Sequence, residues 1–259
     1  MTAALVTGAG KRLGRAMALY LAHRGFDVAV HYASSRTGAD AVVSEIIDAG
    51  RAAVALQADL LDRSAATELL PRASSALAAP ISCLVNNASI FEYDTIQSAT
   101  AESWDRHLNS NLRAPFLLTQ AMAAQELPPE TDANGEARAT GLIINMIDQR
   151  VHKLTPQFCT YTIAKMGLWA LTRTAAQALG PAIRVNGIAP GPTLKGARQT
   201  EQHFADQRAS TILKRGSDPN EITAALGYFI DAHGVTGQLL CVDGGQHLAW
   251  QTPDVLGTE

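Results

Sequence analysis

Tyr161 and Lys165 stand four residues apart in the segment INMIDQRVHKLTPQFCTYTIAK (residues 144–165), and Asp148 precedes the tyrosine by thirteen. On a helix that spacing puts both side chains on one face, one turn apart. A free phenol has a pKa near ~10 and is a reluctant acid or base at neutral pH. An ammonium beside it favours the tyrosinate and brings proton transfer into a useful range. Asp148 adds a second protic group. A hydroxyl suffices to hydrogen-bond a carbonyl, whereas a ring C=N bond that takes hydride on carbon needs a proton on nitrogen. An aspartate held partly out of water could share that proton or pass one in through water. The plainer alternative is a carboxylate that caps the turn after a strand or pairs with Arg150.

Two further stretches carry chemistry. In TGAGKRLG (residues 7–14), Gly8, Gly10 and Gly14 let the backbone approach a pyrophosphate, whose charge is favoured by free amides where a helix starts near Arg12 and Leu13. No Gly-Lys-Ser/Thr is present, which argues against a P-loop. The second stretch, His31-Tyr32-Ala33-Ser34-Ser35-Arg36, has no acid until Asp40. An acid there would accept the hydroxyls of an adenosine ribose; Arg36 with Ser34 and Ser35 instead suits a 2'-phosphate. NADPH is therefore expected rather than NADH, with Asp59, beside Leu60, near the adenine amino group.

These residues need a scaffold, and hydrophobic patterning supplies one. Short apolar runs at residues 3–7, 28–30, 53–56, 81–85, 142–146, 183–188 and 239–242 read as strands. Between them, helical spacing marks residues 13–21, 39–47, 64–77, 101–123 and 161–179, with Pro71 expected to kink or divide the third helix and Pro115 to be accommodated in the fourth. Alternating strand and helix with short links builds a parallel sheet, and strands apolar on both faces belong inside it. The expected fold is α/β: one doubly wound, Rossmann-type domain over residues 1–259 with about seven strands. Residues 127–141 read as an exposed loop. Residues 190–215 read as a mobile substrate lid, helical over 199–213.

The motifs, taken in this order, resemble the short-chain dehydrogenase/reductase family over nearly the whole chain. Asn86-Asn87-Ala88 is similar to its Asn-Asn-Ala motif, Asn111 with Pro115 to its Asn-x-x-x-Pro, and Tyr161 with Lys165 to its Tyr-x-x-x-Lys. Pro190-Gly191 and Asp243-Gly244-Gly245 resemble its C-terminal signatures. Four departures resemble one branch, the pteridine reductases: Arg12 in place of a glycine, Ser89 after Asn-Asn-Ala, Phe91, and Asp148 at the position of the family's serine. The resemblance implies NADPH-dependent reduction of a pterin or dihydropterin. In it, Tyr161 and Asp148 manage the proton, Lys165 grips the nicotinamide ribose, and Asn111 helps anchor a water relay. Phe91 stacks on the pterin opposite the nicotinamide, Arg12 bridges cofactor phosphate and pterin, and Ser89 bonds the ring. The implied cofactor site also takes in His31, Tyr32, Asn87, Ala88, Pro190, Gly191 and Thr193. A homotetramer, or a dimer, is expected through the fourth and fifth helices.

Composition bounds the alternatives. A formal net charge of -3 gives no reason to expect nucleic acid or an anionic membrane as partner, and no apolar run approaches a bilayer span. The three cysteines are far apart and cannot all pair internally, which fits reduced thiols in the cytoplasm. No Cys/His cluster has metal-ligand spacing, so no metal is expected. Three other readings stay open: a reductase of 3-oxoacyl thioesters or small ketones, a family member acting on a sugar or steroid, and an NADP-sensing module without turnover. A C-terminus ending HLAWQTPDVLGTE either lies against a neighbour or frays.

Overall fold

The computed structural model describes residues 2–196 and 198–251; most of the C-terminal segment, residues 252–259, lies outside that range. β1 (Ala3–Val6), β2 (Asp27–Tyr32), β3 (Ala53–Gln57) and β4 (Ile81–Asn86) alternate with α1 (Arg12–His23), α2 (Arg36–Asp48) and α3 (Arg63–Leu77). After β4 come α4 (Ala101–Leu108), α5 (Ala114–Ala123) and a small antiparallel pair, β5 (Glu130–Thr131) with β6 (Ala137–Arg138), inside the stretch expected to be loop. The chain continues through β7 (Gly141–Met146), α6 (Cys159–Leu179), β8 (Ile183–Pro190), α7 (Glu201–Ala209), α8 (Pro219–Asp231) and β9 (Leu239–Val242). Seven strands form one parallel sheet in the order β3-β2-β1-β4-β7-β8-β9. The winding reverses between β1 and β4, and such a reversal leaves a crevice at the carboxyl ends of the strands.

Both faces of the sheet are buried, as the apolar strands require. Ala4 and Val6 of β1 point to one side, where Met17 and Leu21 of α1, Val42 and Ile46 of α2, and Leu226 and Phe229 of α8 pack. Ala3 and Leu5 point to the other, against Leu69 and Leu70 of α3 and Leu118 and Met122 of α5. The period-two alternation of a strand thus feeds two cores at once.

Both prolines are absorbed locally. Pro71 sits inside α3, which runs unbroken from Arg63 to Leu77 with Asp62 accepting the Ala65 N–H at its start. The proline is on the exposed side, while Ala66, Leu69, Leu70 and Ala73 hold the opposite side on the sheet. The helix is not divided at the proline. Before Pro115, residues Asn109–Arg113 form a π-turn in which the Ala114 N–H reaches back to the Asn109 carbonyl. The wider turn joins α4 to α5 and absorbs the missing N–H of the proline.

Helix α8 has no counterpart among the expected elements. Its signals are local: Asp218 and Glu221 form a reciprocal capping box and Pro219 occupies the first turn. In the 190–215 excursion the helix is shorter than expected, Glu201–Ala209, and buries none of its residues.

Candidate active site

A cavity of about 510 Å³ opens at the carboxyl ends of the central strands. The first turn contributes Gly8, Gly10, Arg12, Leu13 and Gly14, and the turn after β2 contributes Tyr32, Ser34 and Ser35. Asn87, Ala88, Ser89 and Phe91 follow β4, Asp148 follows β7, Tyr161 and Lys165 come from α6, and Pro190, Gly191 and Thr193 from the end of β8. Sequence reasoning singled out all of these. It missed Lys11, Ala33, Met146, Ile147 and Leu194, which line the same space largely as neighbours of the recognised motifs.

The first two loops are knitted across the reversal point. Thr7 Oγ1 accepts the N–H groups of Asn87 (2.8 Å) and Ala88 (2.9 Å), and Asn87 Nδ2 donates to the Thr7 carbonyl (2.8 Å). A side chain at Gly14 would meet the Gly8 carbonyl at 2.3 Å, so the turn closes this tightly only with glycine there. Helix α1 starts at Lys11 without a side-chain cap, as α2 does at Ser35, and neither first turn carries an acid. Both helix starts therefore turn uncapped amides towards the cavity rim.

Arg12 departs from glycine geometry in residue type but keeps its backbone, with φ 55. Its guanidinium donates to the carbonyls of Leu194 (3.0 Å) and Lys195 (2.8 Å), tying the first turn to the segment after β8.

Elsewhere on the cavity wall, the Tyr161 hydroxyl donates to Asp148 Oδ2 across 2.8 Å. The other oxygen, Oδ1, accepts the Arg150 N–H at 2.8 Å. One carboxylate thus both caps the turn and accepts the Tyr161 hydroxyl. Burial, reinforced by the adjacent Asp148 carboxylate, raises the pKa of Tyr161 well above that of a free phenol. This corrects the expectation that Lys165 would bring it down. The ammonium donates instead to the Met146 carbonyl (2.7 Å) and lies 5.6 Å from the centre of the tyrosine ring. Burial itself lowers Lys165 to about 8. Tyr161 is therefore a neutral hydroxyl at physiological pH, a donor rather than a base.

Phe91 is 45% exposed and lines the cavity, so it is not an ordinary core residue. Its ring lies edge-on to Tyr161, with centroids 4.6 Å apart. Phe158 stacks on Phe91 at 4.3 Å, and the Arg198 guanidinium lies 5.3 Å from the Phe91 ring and donates to the Phe91 carbonyl. Neither Phe158 nor Arg198 was singled out, since neither belongs to a periodic element or a spaced motif.

Five expected site residues lie off the cavity wall. His31 is buried beneath the first turn: the Gly8 N–H donates to its Nδ1 (3.0 Å), and its Nε2 meets the Ala58 carbonyl (3.1 Å). Burial pushes the imidazole down to about 4, so it is neutral and shapes the turn from below. Leu60 is in the core and Asp59 accepts the Leu61 N–H, turning its carboxylate to its own loop. Arg36 opens α2, largely exposed, 3.5 Å from Asp40. Asn111 is fully buried, and its amide both accepts from the Ile90 N–H and donates to the Ile90 carbonyl, each at 2.8 Å. That amide fixes the backbone next to Phe91 rather than facing the cavity.

Among the described residues, no helix is long and apolar enough to cross a membrane. Comparison with known proteins places this geometry in a family. The short chain dehydrogenase family model matches residues 2–206. A solved structure of the FolM alternative dihydrofolate reductase 1 of Brucella suis, in complex with NADP, is 43% identical, covers 98% of each chain and superimposes with a TM-score of 0.89. An uncharacterised oxidoreductase of Methylorubrum extorquens is 35% identical over 93% of this chain and 96% of its own length. The 3-oxoacyl-[acyl-carrier-protein] reductase FabG of Staphylococcus epidermidis is 32% identical over 95% of this chain and 98% of its own. With the parallel sheet, the glycine turn and the paired Tyr161 and Lys165 all in place, the chain belongs to the short chain dehydrogenase family.

Proposed function

We propose that the chain is an NADPH-dependent reductase of the pteridine reductase type, acting on a dihydropterin. The observation that carries this reading is the Asp148 carboxylate, which accepts the Tyr161 hydroxyl on the wall of a cavity that also holds the Phe91 ring. Reduction of a carbonyl or of a ring C=N bond takes one proton besides the hydride. An acid hydrogen-bonded to Tyr161, where a serine would be neutral and unable to pass a proton on, supplies a route by which the tyrosine's proton is replaced.

The residues fit the cofactor. The uncapped start of α1 suits a pyrophosphate, and the uncapped start of α2, with Ser34, Ser35 and Arg36 beside it, suits a 2'-phosphate. The NADP bound in the Brucella suis relative supports the same choice. When bound, the reduced nicotinamide supplies hydride. Lys165 holds the ribose, and Phe91 offers a flat wall to the pterin. Tyr161, only 5% exposed, keeps its proton at neutral pH and donates it to the ring nitrogen. Asp148 is less deeply buried, so the replacing proton enters from solvent through its carboxyl group. One hydride on carbon and one proton on nitrogen complete the reduction of the C=N bond.

Residues 190–215 serve as a flap on this one domain, with Arg12 as its tie to the first turn. A homotetramer, or a dimer, is supported by the exposed apolar side chains of Trp104, Phe116, Ile163 and Met166 on α4, α5 and α6.

The likeness to 3-oxoacyl-[acyl-carrier-protein] reductase favours a second reading, reduction of a 3-oxoacyl thioester by Tyr161 alone. NADPH consumption separates the two. Faster turnover of 7,8-dihydropterins than of an acetoacetyl thioester is expected, and the reverse ranking replaces the first reading with the second.

A further inference from the structure

Phe91 stands on a segment without regular secondary structure, yet a stacking wall must keep a fixed plane. Free rotation of an unsupported ring would have to be frozen each time a flat substrate binds, which weakens binding. The structure supplies a support. Phe158 is absent from the cavity wall and lies against Phe91, with 12° between the ring planes. Arg150 lies 5.0 Å from the Phe158 ring and Arg198 5.7 Å.

Phe158 holds this place through an uncommon backbone. Its φ of 57 and ψ of 48 are left-handed, a conformation an aromatic side chain adopts only when its surroundings impose it. The imposing residue is Asp94, whose carbonyl accepts the Phe158 N–H at 2.7 Å. The Asp94 carboxylate, 2% exposed, accepts from the Thr160 N–H, the Thr160 hydroxyl and the Ser103 hydroxyl. His107 completes the clamp. The Glu92 N–H donates to its Nε2, which leaves Nδ1 to donate to Thr160 Oγ1 at 2.7 Å. With Asn111 on Ile90, the stretch 90–94 is fixed at three points to α4, the π-turn and the start of α6. The wall and the proton donor thus share one rigid mount.

We propose that Phe158 is a positioning residue: clamped by Asp94, it holds the Phe91 ring in the plane that stacks on the reacting heterocycle. The proposal rests on the dihydropterin reading above. Phe158 acts only through Phe91, so its loss has no effect once Phe91 is gone.

A double-mutant cycle in steady-state kinetics tests this on the full chain. Phe158→Leu is expected to raise KM for a 7,8-dihydropterin about tenfold, with kcat changed less than about twofold and NADPH affinity unaltered. Phe158→Tyr should restore wild-type KM. In a Phe91→Leu background, Phe158→Leu should add nothing. If Phe158→Leu does not fold, Phe158→Met is read in the same way. Wild-type KM in the Phe158→Leu enzyme, or effects that multiply across the cycle, overturn the proposal. A wild-type enzyme that reduces no dihydropterin overturns the substrate assignment instead, so the two failures are told apart.

Discussion

Replacing His31 by glutamine, and then acidifying, tests how the first turn is held. His31 accepts the Gly8 N–H, and burial pushes its pKa down to about 4, whereas an unfolded imidazole titrates near ~6.5. Between those values the unfolded chain binds a proton that the folded chain refuses. The contribution is therefore fully present above pH ~6.5 and is lost as pH falls towards about 4. From pH ~7.5 to ~4.5 the linkage relation gives a loss of about 2.5 kcal/mol, or roughly 5–10 °C in the unfolding midpoint. Carboxylates elsewhere also respond to acid, so the quantity to read is a difference. Urea unfolding of wild type and His31→Gln at both pH values should show wild type losing about 2.5 kcal/mol more than the variant. Equal losses refute the reasoning, because the imidazole would then titrate alike in both states.

Tyr161→Phe should lower turnover by about 10²–10⁴ while NADPH affinity, followed by fluorescence titration, stays as it was; undiminished turnover removes Tyr161 from proton delivery. Burial lowers Lys165 to about 8, so its charge is present below that pH and disappears above it. NADPH should bind more weakly at pH ~9 than at ~7, and Lys165→Arg should flatten the profile; a pH-independent dissociation constant in wild type counts against the ribose contact. Arg36→Ala should weaken NADPH about tenfold and leave NADH within about twofold. Equal changes for both nucleotides place the 2'-phosphate away from Arg36.

The sheet was legible because its strands are apolar on both faces and separated by helices of regular period, and the placement of Tyr161 and Lys165 in one cavity because they share a helix face. What sequence patterning misjudged depends on surroundings rather than on spacing. Pro71 breaks an isolated helix, but here the buried side of α3 outweighs one lost bond on the exposed side. Helix α8 carries its signal only in the cap Asp218-Pro219-Asn220-Glu221, outside the strand-and-helix alternation that marks the other elements. His31 and Asp59 stand at strand ends, where cofactor contacts are expected, and only tertiary placement turns one under the first turn and the other into its own loop. The raised pKa of Tyr161 was likewise invisible, since it follows from burial and from which oxygen of Asp148 faces the hydroxyl. Phe158 carries no pattern at all; its role exists only in the stack it makes with Phe91.

Arg12 adopts a left-handed backbone at a point where glycine would sit without strain. An arginine held there costs roughly 1–2 kcal/mol of conformational energy, and the chain recovers part of it through the bonds to Leu194 and Lys195. Laboratory evolution run for heat resistance alone would favour Arg12→Gly, whereas selection on turnover would reject it. A library sorted by both pressures should divide at this codon, and consensus-guided stabilisation of the chain should leave it untouched.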